Sequence, residues 1–170
     1  MTAALQQAVA GDEAAFARIV AAYNPAMVRV AYGICGEADL ALDATQAAWL
    51  IAWRKLGTVR EPDRLRAWLV AVAANEARHV VRRRHPGSVV QLDLDPAGRA
   101  TPDPADAIPR VDLANALRRL SANERSLIAM RYGAGLDSAE IAPLLGITAS
   151  GVRARLLRLM GRLRKELEDA

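Results

Sequence analysis

"LDSAEIAPLLGITASGVRARLLRL", residues 136–159, sets Gly, Ile and Thr between two apolar-patterned runs and loads the second run with arginine. Asp137 precedes Glu140 by three, the spacing of a capping box in which each side chain satisfies an amide at a helix start. The helix so begun is expected to end at Gly146, because a residue without Cβ suits the left-handed position after a helix. Thr148 can then cap the next one. Two helices joined by so short a Gly turn make a helix-turn-helix, whose second helix has the dimensions to enter a major groove. Pro143 lies inside the first helix. A missing amide donor costs on the order of 3 kcal/mol in a regular helix interior, so a bend is expected there.

On a helical wheel of about 100° per residue, Val152, Leu156, Leu159, Met160, Leu163 and Leu167 of the second helix share one face and are expected in the core. Ser150, Gly151, Ala154 and Arg158 lie opposite, with Arg153 and Arg164 on one flank and Arg155 and Arg162 on the other. Small residues near the helix start let backbone approach bases, and the positive end of the helix dipole favours anions. Arg153 and Arg158 are the candidates for base edges, Arg155 and Arg162 for phosphates. The competing reading is an ordinary amphipathic helix with a solvated arginine face.

Working outward, Ser121 and Glu124 form a second capping box, ahead of "SLIAMRY", and "DLANALRRL" precedes it with helical periodicity. Before these, residues 86–110 hold five of the eight prolines and four Asp (Asp93, Asp95, Asp103, Asp106) with no apolar period, and read as a flexible acidic linker. From Asp12 to about His85 the pattern is helical again, with breaks expected at "YNP" (23–25), "CGEAD" (35–39) and "GTVREPD" (57–63), hence about four helices. The expected architecture is all-α: two small helical domains, 1–85 and 111–170, joined by residues 86–110.

Composition agrees. The 170 residues are 52% hydrophobic but only 4% aromatic, a mix suited to helix-on-helix packing. Trp49, Trp53 and Trp68 fall at apolar positions of helical patterns and are expected in the core. "AWLVAVAANEA" is broken by Asn75 and Glu76 well short of the ~20 residues of a membrane span. No basic-then-apolar leader opens the chain, so a cytoplasmic protein without membrane insertion is expected. One Cys and two His leave no set for a structural zinc, and Cys35 reads as a buried small hydrophobe. With no Gly-rich phosphate loop, metal-spaced cluster or nucleophile elbow, no cofactor, no metal and no enzymatic activity are expected. The net charge is +4, divided basic, acidic, basic along the chain, and all but Lys55 and Lys165 of the cations are Arg, whose planar fork suits phosphate and guanine edges.

At this point two segments carry a resemblance. "ALRRLSANERSLIAMRYGAGLDSAEIAPLLGITASGVRARLLRLMGRLRKEL" resembles region 4 of bacterial sigma factors of the extracytoplasmic-function group. "DATQAAWLIAWRKL", with Asp43, Gln46 and Trp49, and "WLVAVAANEARHVVRRR", with Trp68, Leu69, Asn75, Arg82 and Arg83, resemble that family's region 2. The resemblance implies an initiation factor that mounts on bacterial core RNA polymerase and directs it to promoter DNA. Region 2 would dock on the polymerase clamp through Asp43, Gln46 and Trp49 and hold the opened −10 element. Region 4 would read the −35 duplex with Ser150, Gly151, Arg153, Ala154, Arg155, Arg158 and Arg162.

For the −10 strand the candidates are Thr58, Val59 and Arg60, in a loop forming the lip of a flipped-base pocket, and Asn75, Arg78, His79, Arg82 and Arg83 on a helix face toward DNA. Asn pairs bidentately with adenine, and arginines suit phosphates. Ala47 stands where the family usually has Glu, which removes a docking charge. An anti-sigma partner is common in the family, although no residue here requires one. The alternative is a freestanding helix-turn-helix regulator, with residues 12–85 as a sensing or dimerising module and no need of polymerase.

Overall fold

The computed structural model describes residues 2–84 and 113–168, and the segment read as a linker lies outside them. Every regular element among the described residues is helical. The N-terminal half comprises α1 (Thr2–Val9), α2 (Glu13–Cys35), α3 (Ala38–Lys55) and α4 (Leu65–Arg84), with two short 3₁₀ turns, Leu56–Thr58 and Pro62–Arg64, between α3 and α4. The C-terminal half comprises α5 (residues 113–118), α6 (Ala122–Ile128), a π turn (Ala129–Gly133), α7 (Ser138–Leu145) and α8 (Ala149–Glu168).

Four helices are present before residue 85, but differently divided from the expectation. An additional helix, α1, precedes Asp12, and α2 runs without interruption through Pro25, where a break was expected. Proline removes one amide there. The helix is nonetheless held on both sides by Ile19 and Met27, both fully buried between α1, α3 and α4, and packing outweighs the lost bond. Asp12 starts α2 by accepting the Ala15 amide at 2.9 Å. Gly36, at φ +78, ends it by donating its amide to the Tyr32 carbonyl. The breaks at 35–39 and 57–63 fall where expected.

Alanines set the spacing of the bundle. Ala15, Ala48, Ala52 and Ala73 are fully buried where helices meet, so that the backbones approach closely, and Leu65 and Leu69 fill the space left. A second cluster does not stop at the boundary between the halves. It runs from Val30, Ile34, Val70 and Ala74 of α2 and α4 into Leu127, Met130, Leu136, Ile141, Val152 and Leu156. The two modules are therefore packed on each other through α2 and α4.

Candidate nucleic-acid interface

The turn between α7 and α8 forms from the residues singled out by sequence. Asp137 accepts the Ala139 and Glu140 amides while Glu140 accepts the Asp137 amide at 2.8 Å, completing the capping box. Gly146 ends α7 at φ +63, and Thr148 Oγ1 accepts the Gly151 amide at 3.1 Å to start α8. Pro143 does not end α7, which continues to Leu145; its side is exposed, so the unpaired carbonyl one turn back lies near water.

Along α8, Val152, Leu156, Leu159 and Leu163 are buried as expected. Met160 and Leu167, expected with them, are 41% and 39% exposed. The far half of α8 is covered chiefly by Ala116 and Leu120, a strip too narrow to reach them. Ser150, Arg153, Ala154, Arg155, Arg158 and Arg162 are exposed. Gly151 is half-buried, and a Cβ there would sit 3.3 Å from Thr148 Oγ1, so glycine lets the helix start close under its own cap. Arg162 Nη2 donates to Glu124 Oε1 at 2.5 Å, tying α8 to the start of α6. Burial pushes the Glu124 carboxyl up, but the Ser121 amide and the Arg162 guanidinium outweigh it and hold the group below the usual carboxylate range.

On α4, Asn75, His79, Arg82 and Arg83 are exposed and Arg78 is half-buried. Arg78 donates to Asn75 Oδ1 and, through Nη1, to Ser126 Oγ at 3.0 Å. Burial, and then the neighbouring Arg82, lower the Arg78 guanidinium below its ordinary value. His79 faces Glu76 at 3.4 Å, and Arg84, the third of the arginine run, braces α4 against Glu37 at 3.3 Å. Thr58, Val59 and Arg60 rim a cleft of about 630 Å³ floored by Trp68, whose opposite wall is Asp137, Glu140 and Pro143 of α7.

A second groove, of about 800 Å³, has no counterpart in the sequence pattern. Arg78 and Arg82 of α4 and Arg155, Arg158 and Arg162 of α8 line it together, over Leu127 and Leu159. Two sets of arginines expected to meet separate stretches of DNA thus converge.

Asp43 and Gln46 are exposed on α3. Trp49 turns inward: its ring meets Phe16 edge-on at 5.7 Å and its Nε1 donates to Asn24 Oδ1 at 2.9 Å. Trp53 corrects the core expectation, being 41% exposed with one edge on Phe16, and Trp68 is half-buried. Leu42 and Leu50, 48% and 62% exposed, flank Gln46 at four-residue spacing and extend this face with apolar surface. That spacing was the available signal, hidden by the heavily apolar composition of α3. Among the described residues no group of three His, Cys, Asp or Glu side chains could hold a metal, and no helix is long and apolar enough to cross a membrane.

Fold and surface together define a two-module helical protein whose second module is a helix-turn-helix with an arginine-edged outward helix. Residues 19–86 match the sigma-70 region 2 family model and residues 110–163 the sigma-70 region 4 model. The chain is 34% identical over 167 residues to the ECF RNA polymerase sigma factor SigL of Mycobacterium tuberculosis, covering 94% of this chain and 93% of SigL. It is 30% identical to the probable RNA polymerase sigma factor RfaY of Xanthomonas campestris, matching 96% of this chain but only 43% of that longer protein. In fold it resembles the sigma factor RpoE of Bartonella quintana, solved with the anti-sigma factor NepR, at a TM-score of 0.71 and 24% identity over 90% of this chain and 96% of that one. The chain belongs to the ECF group of sigma-70 RNA polymerase sigma factors.

Proposed function

We propose that this sigma factor divides its work as follows. Residues 1–85 dock on the clamp of core RNA polymerase through the α3 face of Asp43 and Gln46, with Trp49 holding that face in place, and grip the −10 element with the 58–60 loop and Asn75, Arg78, His79, Arg82 and Arg83. Residues 111–170 read the −35 duplex with Ser150, Gly151, Arg153, Ala154, Arg155, Arg158 and Arg162, and residues 86–110 span the two. The factor works in the cytoplasm on promoter DNA, contributes no catalytic group, and is open to sequestration by an anti-sigma protein.

The observation that carries this reading is the outward face of the first half of α8. Ser150, Arg153, Ala154 and Arg158 are exposed just after a Thr148-capped start, where small side chains, arginine forks and the helix dipole coincide. The freestanding-regulator reading has less support: the match of both halves, in order, to sigma-70 regions 2 and 4 favours the initiation factor.

Transcription in vitro with purified core polymerase and a promoter library tests the proposal. Promoter-specific transcripts are expected only when polymerase and factor are both present. Tight, palindrome-specific DNA binding without polymerase, and no transcript with it, would favour the regulator instead.

A further inference from the structure

We propose that the groove between α4 and α8 binds a short chain of linked phosphates, free or carried on a nucleoside, held by guanidinium groups of both helices. This site goes beyond the promoter-binding reading and does not depend on it. It starts from an imbalance of charge. Arg78 and Arg82 of α4 and Arg155, Arg158 and Arg162 of α8 line the groove, and Glu124 is the one carboxylate among the residues that line it.

Glu124 is already committed. Its Oε1 accepts from Arg162, and its Oε2 accepts from the Ser121 amide at 2.9 Å and the Ser121 hydroxyl at 3.0 Å. Arg78 donates to neutral oxygens, those of Asn75 and Ser126. The ion pairs among the described residues engage Arg64, His79, Arg84, Arg119 and Arg162. Arg78, Arg82, Arg155 and Arg158 therefore have no carboxylate partner among those residues.

Packing holds these like charges together. Helix α6 runs beneath both rows, with Leu127 in the floor, Ser126 taking Arg78 on one side and Glu124 taking Arg162 on the other. A cleft that carries one sign of charge over an apolar floor concentrates its field, so an anion is drawn in and relieves the repulsion between the rows.

Charge and size select the anion. The groove, about 800 Å³, is too small for a duplex and falls within the roughly 300–1,000 Å³ of small-ligand sites. A single phosphate brings too little charge to balance both rows. Linked phosphates bring several charges at close spacing, each open to the planar fork of an arginine. Leu127, Leu144, Leu145 and Leu159 supply apolar surface on which a nucleobase can lie. A bound chain fastens α8 to α4.

The test titrates the full-length free chain with inorganic tripolyphosphate, GTP and ATP by calorimetry, in magnesium-free buffer with sodium sulfate holding the ionic strength constant. One-to-one binding of tripolyphosphate is expected, and the melting temperature should rise with its concentration. Arg82→Gln on α4 and Arg158→Gln on α8 should each weaken binding by about tenfold, the loss of one charge-assisted hydrogen bond. Arg83→Gln and Arg153→Gln remove the same charge from the same helices at exposed positions outside the groove. They should bind within about twofold of the parent, because exposed charges are screened. Tighter binding of GTP or ATP than of tripolyphosphate identifies a nucleotide with its base on the leucine floor, and equal or weaker binding identifies the inorganic chain.

No binding of any of the three overturns the site, as does equal weakening by the groove variants and the two outside it, which is attraction to net charge alone. Binding that appears only once Asp93, Asp95, Asp103 and Asp106 are all changed to Asn assigns the groove to the chain's own acidic stretch and overturns it equally. Neither polymerase nor DNA enters these measurements, so an empty groove leaves the sigma reading standing.

Discussion

Arg162 of α8 and Glu124 of α6 lie 38 residues apart and meet at 2.5 Å, and the same carboxylate accepts the Ser121 amide to close the capping box of α6. One side chain thus starts a helix and anchors an arginine of the outward face. Glu124→Ala removes both bonds and is expected to cost about 0.5–2 kcal/mol in chemical denaturation, the range for a lost N-terminal cap.

The same group gives a pH dependence with a fixed sign. Its folded-state pKa is depressed. Its stabilisation is therefore fully present above the unfolded glutamate value of ~4.3 and is lost as pH falls through the lower folded value. Denaturation midpoints of the parent chain and Glu124→Gln should differ at neutral pH and draw together in acid. A difference that does not change with pH would show that the carboxylate charge contributes nothing.

The roles proposed for the arginines of α8 predict different phenotypes. In the holoenzyme, Arg153→Ala is expected to relax discrimination at one −35 base pair by about 1–3 kcal/mol. Arg155→Ala should weaken all promoters alike and lower the salt slope of binding by about 1. Promoters altered one base pair at a time, titrated at several salt concentrations, distinguish the two outcomes.

On α3, the residues proposed for docking are exposed and separate from those that hold the bundle together. Leu50→Ala, at a position 62% exposed, should leave stability within about 0.5 kcal/mol of the parent yet weaken competition for core polymerase, as should Asp43→Ala. Ile19→Ala, in the fully buried core, should cost about 2–5 kcal/mol of stability. Leu50→Ala that competes as well as the parent removes the apolar flank from the docking face.

Trp49→Phe tests whether that face is braced from beneath. The phenyl ring retains apolar packing on Phe16 but cannot donate to Asn24, and about 0.5–1.5 kcal/mol of stability should be lost. Equal melting of the two chains would show that the Asn24 bond contributes nothing to the bundle.

What sequence made legible was local. Both capping boxes, the left-handed Gly146 and the Thr148 cap depend on partners three or four residues away, and all formed as read. The family was legible because two motif-bearing segments stood in order on either side of a Pro- and Asp-rich stretch. The contact between the two modules was not, because its bonds join residues 48, 91 and 104 apart and give no periodicity to find. Pro25 misled for a related reason: local chemistry argues for a break, and the burial of Ile19 and Met27 that overrides it belongs to the tertiary structure. Trp53 misled in the opposite sense: an apolar position on α3, it packs one edge on Phe16 and is otherwise left 41% exposed.

The turn from Ala129 to Gly133 is wound one residue looser than the helix before it. Deleting a single codon in this span would let the turn close with ordinary helical pairing. The Ala134 amide would lose its bond to the Ala129 carbonyl, and the backbone that offers the Gly133 and Ala134 carbonyls to Arg29 and Arg66 would be re-formed from different residues. A lineage could in this way retune how its two modules pack, while keeping every exposed arginine it inherited.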